Sequence, residues 1–279
     1  MLAIAGYASV VVWLITEESN LVSRASMVLG ADRPPFAYTQ VTLPRTDGGR
    51  QFAWVMRHGE SDAGLWVIYL HGSATNVASS ANISRYRVLH SAGLNVLAPE
   101  YRGFGGLEGA PDETSLQNDA RAAYEYLRHT RRISTSRISV YGWSLGSAVA
   151  VDLAAHVGPA ALMLEGAPSS LVDVAQRRYP FFPISLVMHR AFESISAVDH
   201  ITCPILFLHS PADDVIPISE GRRLYRAAGE RKMFVETRGR HFDASDVDRD
   251  HMSSAIRVFL QKFGVSGQTA GRPTEQVVR

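Results

Sequence analysis

The sequence has one cysteine, Cys203, in 279 residues, so it can form no disulfide within the chain and no cysteine-based zinc site. It has no block of Lys or Arg either: 28 basic residues face 27 acidic ones, for a formal net charge of +1. A chain so balanced lacks the positive field that phosphate neutralisation requires, which excludes nucleic acid as its partner. No internal repeat is visible. A long apolar run is missing as well: the stretch Leu2–Ile15 (LAIAGYASVVVWLI) counts 14 residues, against the roughly 17–25 of a spanning helix. The basic start of a secretory leader is absent, since the first Lys or Arg is Arg24. Three readings of Leu2–Ile15 stay open: a short or truncated anchor, an interfacial helix, or a helix packed on the protein itself. The expected location is accordingly membrane-associated or cytoplasmic.

What is present is material for a core. A chain of this length can bury about 75% of the surface its unfolded form exposes, and 46% of its residues are apolar. Thr39–Leu43 and Gln51–Arg57 flank Asp47-Gly48-Gly49, which signals a hairpin. Six short apolar runs follow: Leu65–Leu70, Leu94–Ala98, Ile138–Tyr141, Ala160–Leu164, Ile205–Leu208 and Lys232–Glu236. Runs without alternation suit strands covered on both faces, as in a parallel sheet. Between them lie helical patterns. In Leu116–His129, Leu116, Ala120, Ala123, Tyr124 and Leu127 share one face, opposite Arg121, Glu125 and Arg128. A hairpin feeding a β-α series predicts one α/β domain with a mostly parallel sheet and helices on both faces.

The strongest chemical signal is Gly142-Trp143-Ser144-Leu145-Gly146, directly after the run Ile138–Tyr141 and opening an apolar helix from Ser147 to Val157. A tight strand-to-helix turn forces strained dihedrals on the serine, and glycines on either side remove Cβ atoms that would collide with it. The helix start supplies free N–H groups for a developing oxyanion. A serine hydroxyl needs a base to become a nucleophile, and its partners belong on later loops in the order Ser, acid, His. Asp213 lies five residues beyond Leu208 and is the expected acid, with Asp214 and Glu165 as rivals. His241 follows the last strand and is the expected base; His251, His90 and His156 fall inside helices. His71-Gly72-Ser73 follows the strand Leu65–Leu70, so the N–H groups of Ser73 and Leu145 are the expected oxyanion hole, with His71 structural. Gly103-x-Gly105-Gly106 lacks dinucleotide-loop spacing. The acidic residues around Asp243, Asp246, Asp248 and Asp250 suit a helix start, and Cys203 reads as a packing residue. Neither a cofactor nor a metal is expected.

Gly142–Gly146, His71–Ser73, His209–Pro217 and His241, in this order and spacing, resemble the α/β-hydrolase superfamily. The text Ala98–Gly106 (APEYRGFGG), Gly109–Glu113 (GAPDE), Asp119-Ala120 and Leu171–Ile184 resembles its bud-emergence-type branch of abhydrolase-domain serine hydrolases. The likeness covers about residues 38 to 264. It implies the α/β-hydrolase fold, a triad of Ser144, Asp213 and His241, and esterase, acylglycerol-lipase or acyl-thioesterase activity; such relatives often carry an N-terminal membrane anchor. Ser210, Arg240 and Phe242 depart from the usual residues beside His209 and His241.

The expected organisation is a hydrophobic N-terminal helix over 1–30, a catalytic domain over 31–264 and a disordered tail over 265–279. The segment between Glu165 and Pro204 is too short for a large cap and apolar enough to line an acyl pocket, giving a small lid over about 168–200. Tyr179, Phe181 and Phe182 from it, with Trp143, Ile216 and Phe242 beside the triad, are the expected substrate contacts. The expected reaction is hydrolysis of a neutral acyl ester, a short- or medium-chain ester or a monoacylglycerol-like lipid, through an acyl-enzyme on Ser144. A thioester, or an inactive scaffold of the same fold, is the alternative.

Overall fold

Every one of the six apolar runs becomes a strand. The computed structural model describes residues 28–45, 48–178, 180–181 and 192–267; Leu2–Ile15, Tyr179, Phe182 and most of the expected tail lie outside them. The chain opens with β1 (Thr39–Pro44) and β2 (Arg50–Met56), paired antiparallel. Their turn closes with Gly48 N–H on the Arg45 carbonyl at 3.1 Å, and Gly48 sits at φ +80°, where a Cβ would be strained. There follow β3 (Trp66–Leu70), α1 (Ser80–Ser91), β4 (Asn95–Pro99), α2 (Glu113–Glu125), β5 (Ile138–Trp143), α3 (Leu145–Val157), β6 (Leu162–Glu165), α4 (Leu171–Arg178) and α5 (Ser194–Ala197). The chain ends with β7 (Ile205–His209), α6 (Ile218–Ala227), β8 (Lys232–Glu236), α7 (Ala244–Val247) and α8 (Arg249–Lys262).

One sheet of eight strands runs in the order β1-β2-β4-β3-β5-β6-β7-β8. The first two pairings are antiparallel and those from β4 to β8 parallel. Period-2 geometry sorts the side chains to two faces. Trp66, Ile68 and Leu70 of β3 join Leu116 and Ala120 of α2 and Ala148 and Val149 of α3 in one core. Val67 and Tyr69 join Ile83 and Tyr86 of α1 and Ile256 and Phe259 of α8 in the other. The strands are buried throughout except at the edges, where β8 is half-buried.

Two helix boundaries differ from the periodicity. The helix expected over Leu116–His129 starts earlier, because Asp112 caps it: its carboxylate accepts the Ser115 N–H at 2.7 Å while Ser115 Oγ accepts the Asp112 N–H at 2.9 Å. It ends in a π-type turn over Tyr126–Thr130. The helix after His241 arrives in two pieces, α7 and α8. Residues 28–32 already dock on the fold, with Gly30 N–H on Asn76 Oδ1 at 3.1 Å. Among the described residues no helix is long and apolar enough to cross a membrane.

The parallel strands all point their carboxyl ends to one edge, so the loops after β3, β5, β6, β7 and β8 converge there. The turn after β5 is fixed by contact. A Cβ on Gly146 would sit 2.1 Å from the Leu70 carbonyl oxygen, and one on Gly142 would sit 2.2 Å from the Gly146 carbonyl oxygen. Both clashes are with backbone, which cannot swing aside. Gly146→Ala is therefore expected to cost about 3 kcal/mol or more, roughly 6–12 °C in Tm for a domain of this size, measured by thermal unfolding; an unchanged Tm contradicts this packing.

Candidate active site

Ser144 occupies the N-cap position of α3 with φ 55° and ψ −121°. A positive φ is uncommon outside glycine, and holding one costs on the order of 1–3 kcal/mol unless the surroundings fix it. Here they do: the Ser144 N–H donates to the Glu165 carbonyl at 2.9 Å, and its carbonyl accepts from Ser147 N–H at 2.9 Å. The turn delivers the hydroxyl to the base, with Ser144 Oγ 2.9 Å from His241 Nε2. The other ring nitrogen, Nδ1, donates to Asp213 Oδ2 at 2.7 Å. Asp213 Oδ1 accepts the N–H groups of Val215 at 2.9 Å and Ile216 at 2.8 Å, so both carboxylate oxygens are held. All three side chains are buried. Burial works against the charge on Asp213, but the hydrogen bond and charge of His241 and the two amides outweigh it and hold the carboxyl below its ordinary value.

The rivals are engaged elsewhere. Asp214 pairs with Arg240 at 2.8 Å and meets only the backbone N–H of His241, at 3.4 Å. Glu165 accepts a two-pronged bond from Arg85, at 2.8 and 2.7 Å, and a third from Tyr141 Oη at 2.6 Å. On the other side of the serine, Gly72 passes so close that a Cβ there would lie 3.2 Å from Ser144 Cβ. In the loop after β3, the residue before Ser73 thus packs directly on Ser144, and Leu145 is the first residue of α3, where an N–H has no partner within the helix. His71 supports that loop: Nδ1 bonds the Gly72 carbonyl and Nε2 bonds Glu100 Oε1, each at 2.9 Å.

The expected substrate contacts divide. Phe242 is half exposed beside the triad, edge-on to both His241 and Trp143. Trp143 is buried beneath, its ring 5.4 Å from that of His241. Ile216 is buried and serves the acid through its backbone. Phe181 is 87% exposed, and Tyr179 and Phe182 lie outside the described residues.

Sequence reasoning missed three supports. Gly166, at φ +55°, passes under the triad, and a Cβ there would sit 3.2 Å from Asp213 Oδ2 and 3.3 Å from His241 Cε1. Its signal was a glycine directly after a strand. Ser210 hydrogen-bonds the Gly239 carbonyl and accepts from Ala212 N–H, tying the acid loop to the base loop. Arg85 reaches the site from α1, with no local signal. Two of the acidic residues after His241 are engaged: Asp246 accepts from Ser84 Oγ at 2.6 Å, and Asp248 accepts from Arg238 N–H at 2.9 Å and Nε at 2.8 Å and meets His251 Nδ1 at 2.9 Å. Among the described residues no three His, Cys, Asp or Glu side chains gather in a way that would hold a metal.

Residues 104–236 match the family model of the dienelactone hydrolase family, a span that includes Ser144 and Asp213 and stops before His241. The uncharacterized protein Rv2307c of Mycobacterium tuberculosis is 37% identical, over 88% of this chain and 85% of that protein. The alpha/beta hydrolase domain-containing protein WAV2 of Arabidopsis thaliana is 30% identical, over 74% of this chain and 73% of that protein. The chain belongs to the alpha/beta-hydrolase superfamily. Zebrafish (Danio rerio) lysophosphatidylserine lipase ABHD12 is 31% identical over 60% of this chain, and the match spans about half of that longer protein, 48%. Among solved structures, the Pyrococcus furiosus esterase Pf2001 shares the fold at TM-score 0.72 and 20% identity, over 86% of this chain and 99% of that one.

The depressed Asp213 carboxyl carries a sign for stability in this hydrolase. A carboxylate held below its ordinary value of 3.8 stabilises the fold fully above that pH, and the contribution fades as pH falls through the lowered value. Asp213→Asn is expected to flatten the loss of Tm below about pH 4 relative to the parent, read by thermal unfolding against pH; an identical acid limb in both proteins contradicts it.

Proposed function

We propose that this chain is a serine hydrolase of esterase type that cleaves monoacyl esters through an acyl-enzyme on Ser144. The observation that carries this reading is the continuous relay Ser144 Oγ–His241–Asp213, with bonds of 2.9 and 2.7 Å, on a serine held at positive φ at a helix start. As Ser144 attacks the ester carbonyl, its proton moves to His241 Nε2. Asp213 fixes the tautomer with Nδ1 protonated and stabilises the imidazolium. The carbonyl oxygen becomes an anion, for which the N–H groups of Ser73 and Leu145 are the donors; losing one such donor typically costs about 2.7–4 kcal/mol. His241 then returns the proton to the leaving alcohol, and water repeats the cycle on the acyl-enzyme with His241 again the base.

The apolar side of the site supports an acyl chain. Phe242 lies half exposed beside the triad, and the segment over about 168–200 is proposed as a small lid, with Tyr179, Phe181 and Phe182 meeting the chain. The name of the ABHD12 relative, a lysophosphatidylserine lipase, favours a one-chain lipid ester among the esters open to this site. A thioester would use the same relay, and acyl-chain series of esters and thioesters separate the two. Leu2–Ile15 are proposed to tether the enzyme to lipid; removing residues 1–27 is expected to release it from vesicle pellets without loss of activity on a soluble ester, and equal pelleting of both forms contradicts the tether.

Ser144→Ala is expected to abolish labelling by a fluorophosphonate probe and nearly all ester hydrolysis while the fold is kept. Asp213→Asn is expected to lower kcat by about 10⁴ through the wrong tautomer. Labelling of Ser144→Ala at the parental rate contradicts the assignment of the nucleophile.

A further inference from the structure

Arg85 is a fully buried arginine on α1, a helix that contributes nothing else to the triad. Its guanidinium is shared among every part of the site floor. Nε and Nη2 hold the two oxygens of Glu165 at 2.8 and 2.7 Å. Nη2 also donates to the backbone carbonyl of His241 at 3.2 Å, while Nη1 anchors on the Ala81 carbonyl at 2.8 Å. Its plane lies over the Trp143 ring, with Cζ 3.6 Å from the ring centre. The backbone carbonyl of Glu165 is in turn the acceptor for the Ser144 N–H. One planar group thus joins the base, the residue before the nucleophile, and the strand end that holds the nucleophile.

We propose that Arg85 is a positioning residue for the Ser144–His241 pair, setting the base against the nucleophile through the His241 carbonyl, Glu165 and the Trp143 ring. The inference rests on the triad reading above and adds a residue that touches neither substrate nor reacting atoms. Five N–H donors in a rigid fork can serve all these partners at once, which a single ammonium cannot. The charge is also matched. An imidazolium forms at His241 during acylation, and an unpaired buried cation beneath it would oppose that charge; Glu165 neutralises Arg85 in place. Burial opposes the charge on Arg85, but Glu165, Tyr69 and Tyr141 outweigh it and hold it protonated beyond its ordinary range. The groups facing His241 are Asp213 and Ser144 at its ring, Asp214 and Arg85 at its backbone, and His209 beyond Asp213.

Two variants separate the fork from the charge, and a third controls for stability. Arg85→Lys keeps the cation and loses the fork: kcat is expected to fall between about tenfold and a hundredfold with KM unchanged, fluorophosphonate labelling to slow in proportion, and the pH profile to keep its midpoint. Glu165→Gln leaves the cation uncompensated: the ascending limb of kcat/KM against pH is expected to move to lower pH, with a lower plateau. Leu127→Ala, buried at the opposite end of the sheet, is expected to lose comparable or greater Tm and keep the parental kcat. Parental labelling and kcat in Arg85→Lys overturn the inference, as does a loss of kcat in Leu127→Ala equal to that in Arg85→Lys. Should Arg85→Lys not fold, a parental pH profile in Glu165→Gln overturns it. Parent enzyme that takes no label at Ser144 defeats the triad reading instead.

Discussion

The structure depends on how closely the β5–α3 turn is pressed against β3. Gly146 lies where a methyl group would touch the Leu70 carbonyl, and Gly142 where one would touch the backbone of Gly146. With no Cβ at either position, the chain passes from strand to helix around a single residue, and that residue takes φ 55°. The strain is local; the forces that hold it are not. β5 is hydrogen-bonded between β3 and β6, and α3 is buried along most of its length. A packed interior does not deform smoothly, so the serine cannot relax without moving two strands. Ser144 is held rigidly because the core is.

The same edge of the sheet gathers buried charge. Arg85 of α1 meets Glu165 at the end of β6, and His71 with Glu100 and His241 with Asp213 lie in the loops beyond the strand ends. Removing one partner of a buried pair typically costs about 3–5 kcal/mol, although the intact pair contributes little net stability. Such pairs are therefore better understood as fixing geometry. Each holds a loop that brings something to the site: the loop of Ser73, the strand end behind Ser144, and the base. Glu100 shows the economy of this, since its second oxygen accepts the Val77 N–H at 3.1 Å and Gly105 leaves room for it.

Much of this was legible in the chain itself. The six strands were visible because strands covered on both faces carry no polar alternation, and LWVIYL and ILFL admit few other readings. Ser144 and His241 were visible because an elbow and a post-strand histidine are local patterns. For the acid the sequence favours Asp213 by its distance from the strand end and leaves Asp214 as a rival in the same short turn; the fold turns the first to the His241 ring and the second to Arg240. Arg85 was invisible for a different reason. It lies 80 residues from Glu165 and 156 from His241, on a helix that also carries Arg87 on another face, and no local motif assigns a buried arginine to partners so far along the chain. Trp143 and Ile216, expected beside the substrate, are both buried in the fold, a placement that their apolar character alone does not reveal.

The two sides of Ser144 therefore do different physical work. Beneath it, on the side of β6 and α1, the groups nearest the relay are engaged: Glu165 takes three donors, the Ser144 amide is bonded, and Gly166 leaves only enough space for the imidazole and carboxylate. Above it, Phe242 is open and Val215 is exposed on the acid loop. Change confined to that upper side leaves the Ser144–His241–Asp213 hydrogen bonds intact, because none of them passes through either side chain. Change on the lower side reaches the relay at once. An engaged side and an open side thus meet at the His241 ring, with Trp143, packed between Arg85 below and Phe242 beside it, as the boundary between them.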